Sequence, residues 1–126
     1  MPTHTFGLSK IGQIAVSVTD VERSIKFYRD TLGMKFLFQA GTLAFFDCDG
    51  VRLMLSIPEK PEFRGASILY FTVPDIQAGY AALQERGVSF IDRPHVVHRT
   101  DADELWMAFL KDPDGNHLAL MSEVRK

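Results

Sequence analysis

At 126 residues the chain is long enough for one domain with a real core and short for two. Hydrophobic residues make up 46% and charged residues 24%, ordinary globular values that exclude disordered and fibrous classes. Fourteen basic against sixteen acidic residues give a net charge of −2 with no block of like charge, which argues against nucleic acid or an anionic membrane as the main partner.

Ile11–Val18 alternates, with Ile14, Val16 and Val18 on one face and Gln13, Ala15 and Ser17 on the other, as a half-buried strand does. Thr19-Asp20 supplies an N-cap; Val21, Ile25, Tyr28 and Leu32 then recur at helical spacing until Gly33 stops the run. Lys35–Ala40 and Leu43–Asp47 read as short strands, and Asp49-Gly50 as a hairpin turn. Val51–Ile57 alternates again, with Val51, Leu53 and Leu55 opposite Arg52, Met54 and Ser56. Pro58–Gly65, short, charged and carrying two prolines, reads as a linker. Ser67–Val73 is a strand with Leu69, Phe71 and Val73 opposite Ile68, Tyr70 and Thr72, and Pro74-Asp75 caps a helix that runs to Arg86 and ends at Gly87. Val88–Ile91 and His95–His98 read as extended, Arg99–Leu105 as a polar loop, and Trp106–Leu110 as a strand. Asp112-Pro113-Asp114-Gly115-Asn116 is a dense turn signal, after which Leu118 and Leu120 alternate with His117, Ala119 and Met121.

The order strand-helix-strand-strand-strand therefore occurs twice. Asp20 and Asp75 are 55 apart (75 − 20), whereas Gly50 and Gly115 are 65 apart (115 − 50), so the second copy carries roughly ten extra residues before its turn. The Arg99–Leu105 loop is where most of them are expected. In each copy a helix would use up the large aliphatic face of its strands. The opposite face, bearing Gln13, Met54, Ile68 or Ala119, would stay uncovered, and two such faces turned together would enclose a cavity. Cys48, the one cysteine, leaves no internal disulfide and no cysteine-based zinc knuckle. Without an apolar signal core in residues 1–10 or a membrane-length apolar window, a soluble, cytoplasmic protein is expected.

Ile14-Ala15-Val16-Ser17-Val18-Thr19-Asp20, Phe27-Tyr28-Arg29-Asp30-Thr31-Leu32-Gly33-Met34, Phe71-Thr72-Val73-Pro74-Asp75 and Phe109-Leu110-Lys111-Asp112-Pro113-Asp114-Gly115-Asn116 resemble the vicinal oxygen chelate superfamily of glyoxalases, bleomycin- and fosfomycin-resistance proteins and extradiol dioxygenases. The resemblance implies an α+β fold, with two βαβββ modules forming a curved mixed sheet around a cavity, and commonly a homodimer. The expected organisation is a single domain over residues 1–126, with module one at about 10–57, a linker at 58–65 and module two at about 66–124. In metal-dependent members the ligands come from four equivalent strand positions, which motif spacing carries onto Gln13, Met54, Ile68 and Ala119. Three of these are apolar, and one neutral amide does not replace the hydration shell of a divalent ion. No metal and no other cofactor is therefore expected at that site.

Arg52 and His117 occupy matching places two residues before Met54 and Ala119. They read either as a cationic end to the pocket that binds a carboxylate, or as strand-end residues that reach solvent. Tyr70 reads as a hydrogen-bonding group of the cavity or as a packed ring, and Trp106 as core or as a stacking surface. His95 and His98 diverge on a strand, yet His98 opens the inserted loop, faces Trp106 across a hairpin and is a candidate general base, as is His117. Asp101-Ala102-Asp103-Glu104 reads as a solvated loop tip. The expected function is sequestration of a small organic molecule in a largely apolar, metal-independent pocket lined by Gln13, Arg52, Met54, Ile68, Tyr70, Trp106 and Ala119. The alternative is a lyase, isomerase or dioxygenase that uses His98, His117 or a relocated metal.

Overall fold

Two aspartates start the two α-helices found among the described residues. Asp20 and Asp75 both sit in extended backbone; Asp20 accepts from the Arg23 amide at 3.1 Å, and Asp75 accepts from the Gln77 and Ala78 amides, each at 3.1 Å. The computed structural model describes residue 6, residues 10–58 and residues 67–126, so the expected linker lies, apart from Pro58, outside the described residues. The first module comprises β1 (Gln13–Ser17), α1 (Val21–Ile25) continued by a π-helical turn (Lys26–Thr31), β2 (Lys35–Ala40), β3 (Leu43–Cys48) and β4 (Val51–Ser56). The second comprises β5 (Leu69–Thr72), α2 (Ile76–Glu85), β6 (His95–Arg99), β7 (Asp103–Lys111) and β8 (His117–Arg125).

Each module forms its own four-stranded mixed sheet, in the order β1-β4-β3-β2 and β5-β8-β7-β6, with β1 parallel to β4 and β5 parallel to β8. This is the α+β architecture of paired βαβββ modules. Helix α1 packs on β3 and β4, and α2 packs on β7 and β8. The faces they cover hold the core: Tyr28, Phe46, Leu53 and Leu55 in one module, Ala108, Leu110 and Leu118 in the other.

Three expectations need correction. The first helix is not α-helical through Leu32. It widens after Ile25, with the Leu32 amide bonding back to the Phe27 carbonyl at 2.9 Å, and this turn carries the fully buried Tyr28 ring. The polar loop shrinks to Thr100–Ala102, because the Thr100 hydroxyl accepts from the Asp103 amide at 2.9 Å and Arg99 pairs with Glu104 at 2.8 Å across the hairpin. Six of the extra residues fall instead in the connection between α2 and β6 (86–94, nine residues, against 32–34, three, in module one), and three lengthen β7, nine residues against six in β3. Of the extended segment expected at Val88–Ile91, only a bridge from Phe90 to Leu110 forms. No helix among the described residues is long and apolar enough to cross a membrane.

Candidate functional site

Strand register decides which side chains share the uncovered faces. In module one Gln13 pairs with Arg52 and Ala15 with Met54, while Phe45 pairs with Met54 and Asp47 with Arg52. Gln13, Arg52, Met54 and Phe45 therefore point away from α1, and all four interlock. The Arg52 Nε donates to Gln13 Oε1 at 2.9 Å, and the guanidinium carbon lies 5.2 Å from the Phe45 ring centroid. Gln13 Nε2 turns to the Met54 sulfur at 3.8 Å. The Phe45 ring stacks in turn on Phe38, with centroids 4.6 Å apart and planes inclined by 29°. Asp47, directly across from Arg52, does not pair with it; its Oδ1 accepts from the Gly50 amide at 3.1 Å. Among the described residues the two terminal nitrogens of Arg52 have no protein acceptor, so a guanidinium already held in place presents their four N–H groups beside an aromatic surface.

In module two the uncovered face carries Tyr70 and Thr72 of β5, His117, Ala119 and Met121 of β8, and Phe109 of β7. Tyr70 and Phe109 flank Ala119 on neighbouring strands and meet edge to face at 6.0 Å; Ala119 beneath them has no exposure. Tyr70 itself is 46% exposed, and Ile68, just ahead of β5, is 43% exposed. His117 pairs with Lys111 at the end of the sheet.

Several expected members of the site fall elsewhere. Trp106 pairs with Ser122 and shares the α2 side with Ala108 and Leu110, packing against the core, so its indole is not on the Ala119 face. His98 pairs with Leu105, not Trp106, because a bulge between Val96 and His98 shifts the register by one residue. The same bulge puts His95 and His98 on one face where regular alternation would separate them. The cavity is also not where the uncovered faces were expected to meet. A space of about 810 Å³ opens between the modules on the helix side, walled by Ile14, Leu53, Leu69, Phe71, Leu83 and Leu120. Of the expected lining, only Ile68 and Tyr70 reach it, together with Thr72 at the β5 edge. The hydrogen bonds and ring contacts of each uncovered face stay within its own sheet.

Sequence reasoning missed Phe45 and Phe38. Alternation through Leu43, Phe45 and Asp47 carried the signal, but only the β3–β4 register ties it to Arg52. It also missed the joint between modules. Asp114 accepts from the Thr19 amide at 2.9 Å, the Thr19 hydroxyl, Arg23 at 3.3 Å and the Ser24 hydroxyl at 3.3 Å. Tyr28 donates to Asp112 at 2.9 Å; burial, and then the Asp112 charge, drive its phenol far above the usual range. Burial likewise pushes the Cys48 thiol up, with Asp47 adding to it.

The four positions that correspond to metal ligands do not suit a divalent ion. Gln13 has spent its oxygen on a guanidinium, which would itself repel a cation. Met54 offers only a thioether sulfur, Ile68 offers no donor, and Ala119 is a buried methyl. Among the described residues no three His, Cys, Asp or Glu side chains converge elsewhere.

Paired βαβββ modules with a joined β1–β4 and β5–β8 register define the class of protein, and sequence comparison agrees. The Glyoxalase/Bleomycin resistance protein/Dioxygenase superfamily profile matches residues 10–120, and the chain belongs to this superfamily. It is 29% identical over 116 residues to the metallothiol transferase FosB of Staphylococcus epidermidis, covering 87% of this chain and 81% of that one. It is 27% identical over 124 residues to the catechol-2,3-dioxygenase of Bacillus subtilis, covering 90% of this chain but 41% of the dioxygenase. Among solved structures, TnmS3, an antibiotic binding protein from Streptomyces sp. CB03234, superposes with a TM-score of 0.75 at 28% identity over 94% of this chain and 98% of TnmS3.

Proposed function

We infer that the protein binds a small organic anion without a metal, sequestering it against the uncovered sheet faces. The observation that carries this reading is Arg52. Its Nε is held by Gln13 at 2.9 Å and its guanidinium carbon lies 5.2 Å from the Phe45 ring centroid, which leaves the terminal nitrogens for a carboxylate. The Phe38 ring stacked on Phe45 beside it offers a surface for a planar body, Met54 extends that face, and Ile68 and Tyr70 are the exposed apolar residues of the other module; Ala119, fully buried, does not reach a ligand. Phe38, Ile68 and Tyr70 are 47%, 43% and 46% exposed in a single chain, and a homodimer that brings uncovered faces together would enclose the ligand. The likeness to an antibiotic binding protein supports a binding role.

The enzymatic alternative, a lyase, isomerase or dioxygenase, retains one specific observation: the β6 bulge sets His95 and His98 on the uncovered face. Thermal unfolding against a panel of aromatic carboxylates and their neutral amides tests the binding reading. An acid at a hundred times its Kd should stabilise by about 2.7 kcal/mol. The matching amide should bind far more weakly, and Arg52→Gln should erase the difference. Equal response to acid and amide in the parent protein would refute the role of Arg52.

A further inference from the structure

The internal repeat makes two junctions between the modules equivalent, and only one of them is closed. Register sets the correspondence: Ile14 pairs with Leu53 as Leu69 pairs with Leu118, an offset of 55 (69 − 14) for strand and helix and 65 (118 − 53) for the turn side. At the closed junction Thr19, Arg23 and Ser24 grip Asp114, while Tyr28 holds Asp112. At the other, the matching residues are Pro74, Ala78, Gly79 and Leu83, with Asp49 at the place of Asp114 and Cys48 at that of Asp112. Proline has lost the amide that Thr19 donates, and none of the four side chains can donate a hydrogen bond. The junction stays open as the cavity of about 810 Å³, with Gly79, Leu83 and Asp49 in its wall.

Among the described residues the Asp49 carboxylate has neither a hydrogen-bond nor an ion-pair partner, whereas its counterpart Asp114 is paired with Arg23. The cavity volume falls in the range of small-molecule sites, and its walls are mostly aliphatic and aromatic, with Asp49 the one charged residue beside the Thr72 and Tyr70 hydroxyls and the Cys48 thiol. We propose that this cavity is a second binding site, for an apolar molecule carrying one protonated amine. The ammonium takes at Asp49 the place that Arg23 takes at Asp114, and the apolar body fills the space that Tyr28 fills at the closed junction. The site lies on the helix side of both sheets except at the β5 edge, where Ile68, Tyr70 and Thr72 reach it, and Arg52 is not in its wall.

Nortriptyline, a tricyclic secondary amine, is the probe, with the amine-free tricycle and a tricyclic carboxylic acid as controls in isothermal titration of the full chain. The amine should bind the parent protein and Arg52→Gln alike, and the acid, titrated into Arg52→Gln so that the anion site is removed, should not bind. Asp49 has φ of 52°, which asparagine tolerates as readily as aspartate, so Asp49→Asn keeps the turn. This change should weaken nortriptyline by about three- to tenfold and leave the neutral tricycle unaffected. Ala82→Phe, which projects a ring into the cavity, should weaken both. Bound amine should also protect Cys48, in the same wall, from N-ethylmaleimide. Amine affinity unchanged in Asp49→Asn, lost in Arg52→Gln, or falling as protein concentration rises because a second copy fills the cavity would each overturn the proposal.

Discussion

Tyr28→Phe removes one oxygen and tests the closed junction with little change of shape. The hydroxyl donates at 2.9 Å to Asp112, which is 5% exposed, and the ring is fully buried. Asp112 keeps the amides of Asp114 and Asn116 and the Asn116 side chain, at 2.9, 2.8 and 2.8 Å, so it is weakened rather than orphaned. A hydrogen bond to a charged group of this kind contributes about 1.5–3 kcal/mol, the loss expected in urea denaturation at pH 7. The pH dependence is the sharper test. Because the folded phenol ionises far above the unfolded one, its contribution is complete below about pH 10 and is lost as the pH rises beyond that value. The stability gap between parent and Tyr28→Phe should narrow above pH 10 by about 1.4 kcal/mol per pH unit, with Tyr70 and Tyr80 cancelling because both proteins contain them. A gap that is absent at pH 7, or that stays constant from pH 9 to 11, would refute the reasoning.

Asp114→Ala leaves the Thr19, Arg23 and Ser24 donors without their acceptor and should cost about 2–4 kcal/mol in the same denaturation assay, more than Tyr28→Phe. Gly115→Ala forces a methyl into φ of 83° and should destabilise by about 1 kcal/mol or more with no change in ligand affinity. Trp106→Phe should lower the melting temperature through lost packing while leaving carboxylate binding intact, since the indole faces the core side. Phe45→Leu removes the ring under Arg52 and should weaken aromatic acids by about two- to tenfold in calorimetry, with a smaller effect on acetate.

The parts legible in the sequence were those set by local chemistry. Asp20 and Asp75 cap their helices as their types dictate, and Gly33, Gly87 and Gly115 take the positive φ that their turn signals imply. Alternation also assigned Gln13, Arg52, Met54 and Ala119 to the faces where register puts them. Long-range contacts left no such trace. The grip of Thr19 on Asp114 spans 95 residues, and nothing near either residue announces the other. The bulge that turns His98 from Trp106 to Leu105 is one residue of slippage that leaves an alternating pattern looking regular. The cavity arises where Pro74, Ala78 and Leu83 fail to do what Thr19, Arg23 and Tyr28 do, a difference between halves that becomes visible only when the halves are superposed.

The nature of the site turns on whether the Gln13–Arg52 pair receives an organic anion or a cation. The direct measurement is diffraction from crystals soaked in an aromatic carboxylate and Mn²⁺ together, with anomalous data collected for the metal. Carboxylate density on the terminal nitrogens of Arg52, with no anomalous peak within bonding distance of Gln13, is the predicted result. A well-occupied manganese bound to the Gln13 oxygen, with Arg52 swung away, would contradict it.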